Sequence, residues 1–233
     1  NLEQSLEAWK QALAIQEELA RENTNVNQHV EKAAMCHHGI GKAYGILGQN
    51  GSAIESMLEA IKLWKHLSDE WPALTRYRSE LARSENGLGV LYYEIGQLEQ
   101  AEEFYKSALK TREKLTAEDP TVPQLQRDLA ESYNNLGGVC SAVGRVEEAK
   151  QYYTSAMDIY KRYADDNPTV KQYRIDLADV YNDLGAVFKQ TGNNSQALGA
   201  YHKALKVREQ LARENPAFPD LRAALGDSYF NLG

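Results

Sequence analysis

The sequence predicts an all-α fold, a right-handed superhelical solenoid built from antiparallel helical hairpins. The main observation is a period of 48 residues that runs through the chain without an insertion. A fixed period of this length indicates a stacked array, in which each unit buries its apolar face against its neighbours. Three independent columns hold the spacing: Pro72, Pro120, Pro168 and Pro216; Gly41, Gly89, Gly137, Gly185 and Gly233; and Ala12, Ala60, Ala108, Ala156 and Ala204.

The columns also set the expected organisation of the chain, which we predict to be one continuous solenoid over residues 1–233. Four full repeats occupy 25–72, 73–120, 121–168 and 169–216. Residues 1–24 match the second helix of a repeat, and residues 217–233 match the start of a first helix. Solenoids need terminal units with polar outer faces, and neither end has one. We therefore expect this segment to come from a longer protein.

Residues 121–168 show how one repeat is expected to fold. Thr121 and Gln124 have the spacing of a capping box, which would start a first helix directly after Pro120. Gly144 stands where a left-handed residue ends a helix, and Asn167-Pro168 ends a second one. Apolar residues recur at helical spacing along both helices: Leu125, Leu129, Tyr133, Leu136, Gly137 and Cys140, then Ala149, Tyr153, Ala156, Met157 and Tyr160. We expect Gly137 and Ala156 to be small because two backbones approach closely at these points.

These positions resemble the tetratricopeptide repeat (TPR), a family with an aromatic, Leu-Gly, an aromatic, a Gly, an Ala, an aromatic and an Ala at the same spacings. The usual TPR period is 34 residues, so each unit here would be lengthened by almost four helical turns, which keeps the apolar faces in phase. Lengthened repeats look like those of kinesin light chains. They look more like arrays in bacterial regulatory proteins, including some attached to Ser/Thr kinases. The resemblance implies peptide or protein binding.

Composition narrows the possible functions. The formal charge of −7 and the isoelectric point near 5.4 argue against nucleic-acid binding, which depends on neutralising phosphates with Lys and Arg. No stretch approaches the roughly 18 apolar residues that a membrane span requires. Cys36 and Cys140 lie more than two repeats apart, so we do not expect them to bridge. Two unbridged thiols favour a reducing, cytoplasmic compartment.

The first helix of each repeat carries a polar face opposite its apolar stripe, and we expect this face to line the concave groove of the array. Asn86, Asn134 and Asn182 form a column there at the 48-residue spacing. An amide carries both a donor and an acceptor, so such a column can pair with the backbone of an extended peptide. The alternative is that these asparagines face solvent without a partner. The predicted groove residues are Lys42, Arg83, Asn86, Asn134, Asn135, Asn182, Asp183 and Asn231.

Charge varies along this predicted groove. The early repeats contribute Lys42 and Arg83, whereas the later ones contribute carboxylates: Glu131, Asp179, Asp183 and Asp227. The Lys and Arg clamp with which some TPR proteins grip a C-terminal carboxylate is mostly absent. We therefore expect the later repeats to favour basic or neutral peptide segments.

The sequence predicts no catalytic residue, cofactor or metal site. No Gly-rich phosphate loop and no Ser-His-Asp or His-Cys set is visible. His37 and His38 follow Cys36, but adjacent helical positions point about 100° apart and no zinc-type spacing is present. The basic runs at 110–114 and 206–209 are expected toward the C-terminal half of second helices, where they complement the helix dipole and pair with nearby Glu. The alternative is that they bind an anion.

We therefore predict a protein–protein interaction scaffold, not an enzyme, that binds a peptide or partner protein along its groove. The alternative is a regulatory or docking array of a multidomain bacterial Ser/Thr protein kinase or another signalling protein. A third hypothesis is end-to-end self-association through the uncapped termini.

Overall fold

The computed structural model describes residues 2–22 and 26–232, and the chain divides into two units, Asn1–Asp119 and Pro120–Gly233. All regular secondary structure in the described residues is α-helical, which confirms the predicted all-α, TPR-like fold class. The predicted junction at residues 24 and 25, and the last glycine of the 48-residue column, Gly233, lie outside the described residues. The N-terminal unit contains α1 (Leu2–Glu22), α2 (Val26–Ile46), α3 (Asn50–Glu70), α4 (Thr75–Glu94) and α5 (Leu98–Glu118). The C-terminal unit contains α6 (Pro123–Ala142), α7 (Val146–Asp166), α8 (Lys171–Gln190), α9 (Asn194–Glu214) and α10 (Pro219–Leu232).

Four hairpins are complete in the described part of the chain, α2–α3, α4–α5, α6–α7 and α8–α9, and in each pair we call the earlier helix the first helix. As the sequence predicts, each hairpin turns at a glycine with a left-handed backbone conformation. Gly144 has a φ of +78°, and its counterparts Gly48, Gly96 and Gly192 have φ between +71° and +76°. The N–H of Arg145 donates to the carbonyl of Cys140 at 2.8 Å, and the N–H of Gly144 donates to that of Ser141 at 3.1 Å. This is the Schellman pattern, which satisfies the last carbonyls of α6 and reverses the chain within three residues.

The start of the first helices differs from the sequence-based expectation. In α6 the N-cap residue is Val122, which makes no side-chain cap hydrogen bond, and Pro123 is at the first helical turn. The capping box predicted at Thr121 and Gln124 is therefore wrong. The reason is visible at the equivalent turn, where the N–H of Val170 donates to the carbonyl of Asn167 at 3.0 Å. A tight turn uses the residues directly after the proline, so the helix begins later than a threonine cap would place it.

In three of the four complete hairpins, the glycine in the middle of the first helix accommodates a tyrosine ring. A Cβ atom placed on Gly137 would lie 2.8 Å from Cδ1 and Cε1 of Tyr153. The equivalent distances from Gly89 and Gly185 to their tyrosines are 2.6 Å and 2.5 Å. The expectation that two backbones meet at Gly137 is wrong in this respect. The tyrosine ring of the second helix packs against the bare glycine backbone of the first.

Each first helix is also buried along a second stripe that the apolar pattern did not reveal. In α6, Ala130, Ser132 and Val139 have no exposed surface. Helix α6 packs against α7 and also contacts α8, and Ala130 belongs to the apolar cluster that these three helices share. The same helix has a narrow, partly open strip that carries Glu131 and Asn134. This strip positions the candidate site.

Candidate functional site

A concave pocket of about 210 Å³ lies in the C-terminal unit, in the trough between α6 and α8. We call it the α6–α8 pocket. The second helix α7 contributes one lining residue, Tyr160. First helix α6 contributes Arg127, Asp128, Glu131, Asn134 and Asn135, and first helix α8 contributes Asp176, Asp179 and Val180. The pocket thus includes two of the asparagines that the sequence predicted for a groove.

The lining of the α6–α8 pocket is mainly anionic. It holds four carboxylate side chains and one guanidinium, that of Arg127. The Arg127 Nε pairs with Asp176 Oδ2 at 2.9 Å, across the trough. Gln172 Nε2 donates to the other oxygen of Asp176 at 2.8 Å, and Gln124 Nε2 donates to Asp128 Oδ1 at 2.6 Å. Of the four carboxylates, Asp176 is paired with Arg127 and Asp179 is paired with Arg208, which lies outside the lining. Asp128 and Glu131 add two further carboxylates, so an excess of negative charge faces the pocket.

Asn134 lines this pocket and carries a buried acceptor that is not hydrogen-bonded. Its Oδ1 atom is inaccessible to solvent and has no hydrogen-bond partner among the described residues. Leaving a buried polar atom unpaired costs about 1–3 kcal/mol, so native proteins rarely do it without a reason. A donor supplied by a binding partner would remove this cost once the Asn134 side chain turned its oxygen toward the pocket.

One repeat further along, carboxylates crowd around a buried arginine. Burial, together with the charge of Asp179, raises the pKa of Asp183 to about 6, while Arg208 opposes the rise. Burial also raises the pKa of Asp179, although a hydrogen bond from Arg208 opposes this shift. The predicted groove residues Asn182 and Asn231 bond to each other, with Asn231 Nδ2 donating to Asn182 Oδ1 at 2.6 Å. The amide of Asn182 is thus engaged within the chain.

The three predicted groove residues of the N-terminal unit have different surroundings. Lys42 and Arg83 are exposed, and Arg83 pairs with Glu80 at 3.1 Å. Burial, with the positive charges of Lys42 and Arg83, lowers the pKa of His38 to about 4. Asn86 is buried, and its Oδ1 accepts a hydrogen bond from Arg112 Nη1 at 3.5 Å.

Sequence reasoning missed two arginines that point inward. Arg112 and Arg208 belong to the basic runs that we expected to pair with nearby Glu, but they are buried, at 3% and 8% exposed. Their position on the second helix faces the first helices, where Arg112 donates to Asn86 and Arg208 donates to Asp179. The sequence does contain a signal for this burial, because both arginines stand in the same 48-residue column as Trp64 and Tyr160. A charged residue in an otherwise aromatic column indicates an internal partner.

The described residues contain no group of three or more His, Cys, Asp or Glu placed to hold a metal ion. In the same part of the chain, no helix combines the length and apolar character that crossing a bilayer demands.

Three protein-family models, each described as Tetratricopeptide repeat, match residues 36–63, 81–120 and 128–210. The chain belongs to the tetratricopeptide-repeat family. Among solved structures, this TPR protein is similar to the crystal structure of BtubC (BKLC) from P. vanneervenii. That match has a TM-score of 0.73 and 23% identity, and covers 100% of this chain and 82% of that one.

A second similar structure is the crystal structure of MamA, with a TM-score of 0.52 and 18% identity. It covers 88% of this chain and 91% of the other. At these identities both similarities concern the fold. The comparison with curated proteins found no match.

Proposed function

We propose that this TPR protein is a protein–protein interaction scaffold whose C-terminal unit binds a basic segment of a partner protein in the α6–α8 trough. The observation that carries the proposal is the α6–α8 pocket, with its four carboxylates and the unpaired Oδ1 of Asn134. The free and buried thiols of Cys36 and Cys140 support a cytoplasmic setting, where disulfides rarely form.

The chemistry of the lining favours a cationic partner. Carboxylates and amide oxygens accept hydrogen bonds, and cationic side chains supply donors for them. Bonds in which one group is charged are roughly twice as strong as neutral ones, and weakly solvated sites strengthen them further. The excess of negative charge also attracts basic segments during encounter and disfavours acidic ones. The carboxylates of the lining would therefore provide both the affinity for a basic segment and the discrimination against an acidic one.

The test is a binding titration followed by fluorescence anisotropy. The probe is a short labelled peptide that contains both Lys and Arg, and an acidic peptide of the same length is the control. We expect the basic peptide to bind and the acidic one not to bind, with affinity that falls as salt is raised. Failure of every basic peptide to bind, or equal binding of the acidic peptide, would contradict the proposal.

Two variants connect binding to the pocket. Glu131→Gln removes one exposed carboxylate of the lining, and Asn134→Ala removes the unpaired acceptor. Each change should weaken the basic peptide about tenfold, the effect of losing one charge-assisted hydrogen bond. Glu147→Gln removes the same charge from an 80% exposed carboxylate in the first turn of α7 and should leave binding unchanged. Equal losses in Glu131→Gln and Glu147→Gln would indicate a diffuse charge effect instead of a site.

A further inference from the structure

We infer that the α6–α8 pocket is a binding site for one arginine side chain of the partner. This inference rests on the proposed function and names the group that the basic segment inserts. The support comes from comparing repeats of the same chain. At the position that Tyr160 holds beside the pocket, the neighbouring repeats carry an arginine. Positions one period apart can be compared directly, since the 48-residue register is unbroken.

The first correspondence lies one repeat after the pocket, at Arg208. This residue occupies, on α9, the position that Tyr160 occupies on α7. Its guanidinium is buried and donates three hydrogen bonds: to Asp179 Oδ1 at 2.7 Å, to Ser228 Oγ at 2.8 Å and to the carbonyl of Ala224 at 3.1 Å. Each acceptor belongs to a residue on one of the two flanking first helices, α8 and α10.

All three of these acceptor positions have counterparts in the α6–α8 pocket. Forty-eight residues before Asp179, Ala224 and Ser228 stand Glu131, Asp176 and Val180, and each of them lines the pocket. The pocket is therefore the place that Arg208 fills one repeat later. In the α6–α8 trough, Tyr160 stands at the position of Arg208 and lines the pocket.

The second correspondence lies one repeat before the pocket, in the N-terminal unit. There the same column holds Arg112, whose Nη1 donates to Asn86 Oδ1 at 3.5 Å. The counterpart of Asn86 in the pocket is Asn134, and its Oδ1 is the buried acceptor without a partner. Asn86 thus receives a hydrogen bond from an arginine. Its counterpart Asn134 has no such donor, because tyrosine stands at the arginine position in that hairpin.

The shape of the acceptor set favours arginine over lysine. A guanidinium presents five N–H donors in a rigid planar fork, which can reach carboxylates on two helices together. Its flat face also stacks on aromatic rings, and Tyr160 lines the pocket. An ammonium is a compact charge with three donors and a strong hydration shell, so it satisfies fewer of these acceptors.

The experiment compares three labelled peptides that differ in one residue type, with Gly-Ser spacers around arginine, lysine or citrulline. We expect the arginine peptide to bind this TPR protein about tenfold more tightly than the lysine peptide, the equivalent of one charge-assisted hydrogen bond. Citrulline keeps the shape without the charge and should bind more weakly still. Equal binding of the lysine and arginine peptides would overturn the inference and leave the proposed function intact. Failure of both would reject both.

A variant tests the site from inside the chain. Tyr160→Arg places a guanidinium on α7 where Arg208 has one on α9, so it should occupy the acceptors and abolish the preference for the arginine peptide. Thr154→Arg adds the same charge to an exposed position of α7 outside the pocket and should keep the preference. Circular dichroism verifies that both variants are folded. An undiminished arginine preference in folded Tyr160→Arg would overturn the inference, and the peptide comparison on the unaltered chain decides if that variant does not fold.

Discussion

Replacing Gly137 by alanine tests the glycine–tyrosine packing that three of the four complete hairpins share. The added Cβ atom would lie 2.8 Å from two ring atoms of Tyr153 and 3.0 Å from a third, Cγ. Tyr153 is buried, and its ring is rigid, so it can yield only by leaving its rotamer or by moving α7 away from α6. The first hairpin differs, because the Cβ position at Gly41 lies 3.1 Å from the flexible end of Met57 and at least 3.2 Å from backbone atoms.

The expected change in unfolding free energy is best expressed relative to the same substitution at a second glycine. Alanine is favoured over glycine inside a helix by about 1 kcal/mol at any site. Gly199, in the interior of α9, has no atom within 4 Å of a built Cβ, so Gly199→Ala should gain this amount in full. Gly137→Ala gains the same propensity but adds an overpacking cost of about 1–3 kcal/mol. The unfolding free energy of Gly137→Ala should therefore lie about 1–3 kcal/mol below that of Gly199→Ala.

Urea denaturation followed by circular dichroism measures the difference, and thermal melting should show it as roughly 2–4 °C per kcal/mol. A second experiment repeats the Gly137→Ala measurement in a Tyr153→Met background, which reproduces the glycine–methionine contact of Gly41 and Met57. In that background the added cost of Gly137→Ala should fall below about 1 kcal/mol, because the methionine end can move aside. The reasoning is refuted if Gly137→Ala stabilises the unaltered chain as much as Gly199→Ala does.

Two further predictions concern buried carboxylates. The pKa of Asp183 is about 6 in the folded chain, against a usual value of 3.8. The folded chain therefore holds this proton more tightly than the unfolded chain does. As a result, stability falls as pH rises from about 4 to about 6 and Asp183 ionises. Asp183→Asn should raise the unfolding free energy by about 1–3 kcal/mol at pH 8 and change it little near pH 4, and equal effects at both pH values would contradict this. Glu85 is buried with Oε2 unpaired, and burial raises its pKa despite the Ser107 hydrogen bond. Glu85→Gln should therefore raise the urea midpoint above pH 7, and a lower midpoint there would show that the ionised form is the stabilising one.

Local features of the repeat were predictable because they depend on residues close together in the chain. The left-handed glycines are an example, since a tight reversal after a helix requires a positive φ wherever the hairpin packs. Prolines likewise end helices by removing a donor, and α3, α5, α7 and α9 each end two residues before one. The threonine caps failed for a related reason. Two arrangements of the same turn residues were locally reasonable, and the sequence did not discriminate between them.

The candidate site was only partly predictable, because it depends on which sides of a helix its neighbours cover. The asparagine column was visible as a 48-residue pattern, but the pattern did not show that Asn134 lacks a partner while Asn86 has one. That difference arises on the adjacent helix, where arginine in one hairpin becomes tyrosine in another. An arginine among neighbouring charges looks like a surface residue until its position on the packed helix is known.

The period, the all-α fold class and the glycine turns could be read from the order of residues, because an unbroken spacing together with helical periodicity favours stacked helical hairpins. Packing determined which polar side chains are buried, which of them are paired and which buried acceptor has no partner. Hydrogen bonding and burial depend on the distances between helices, and these distances follow from packing rather than from order along the chain.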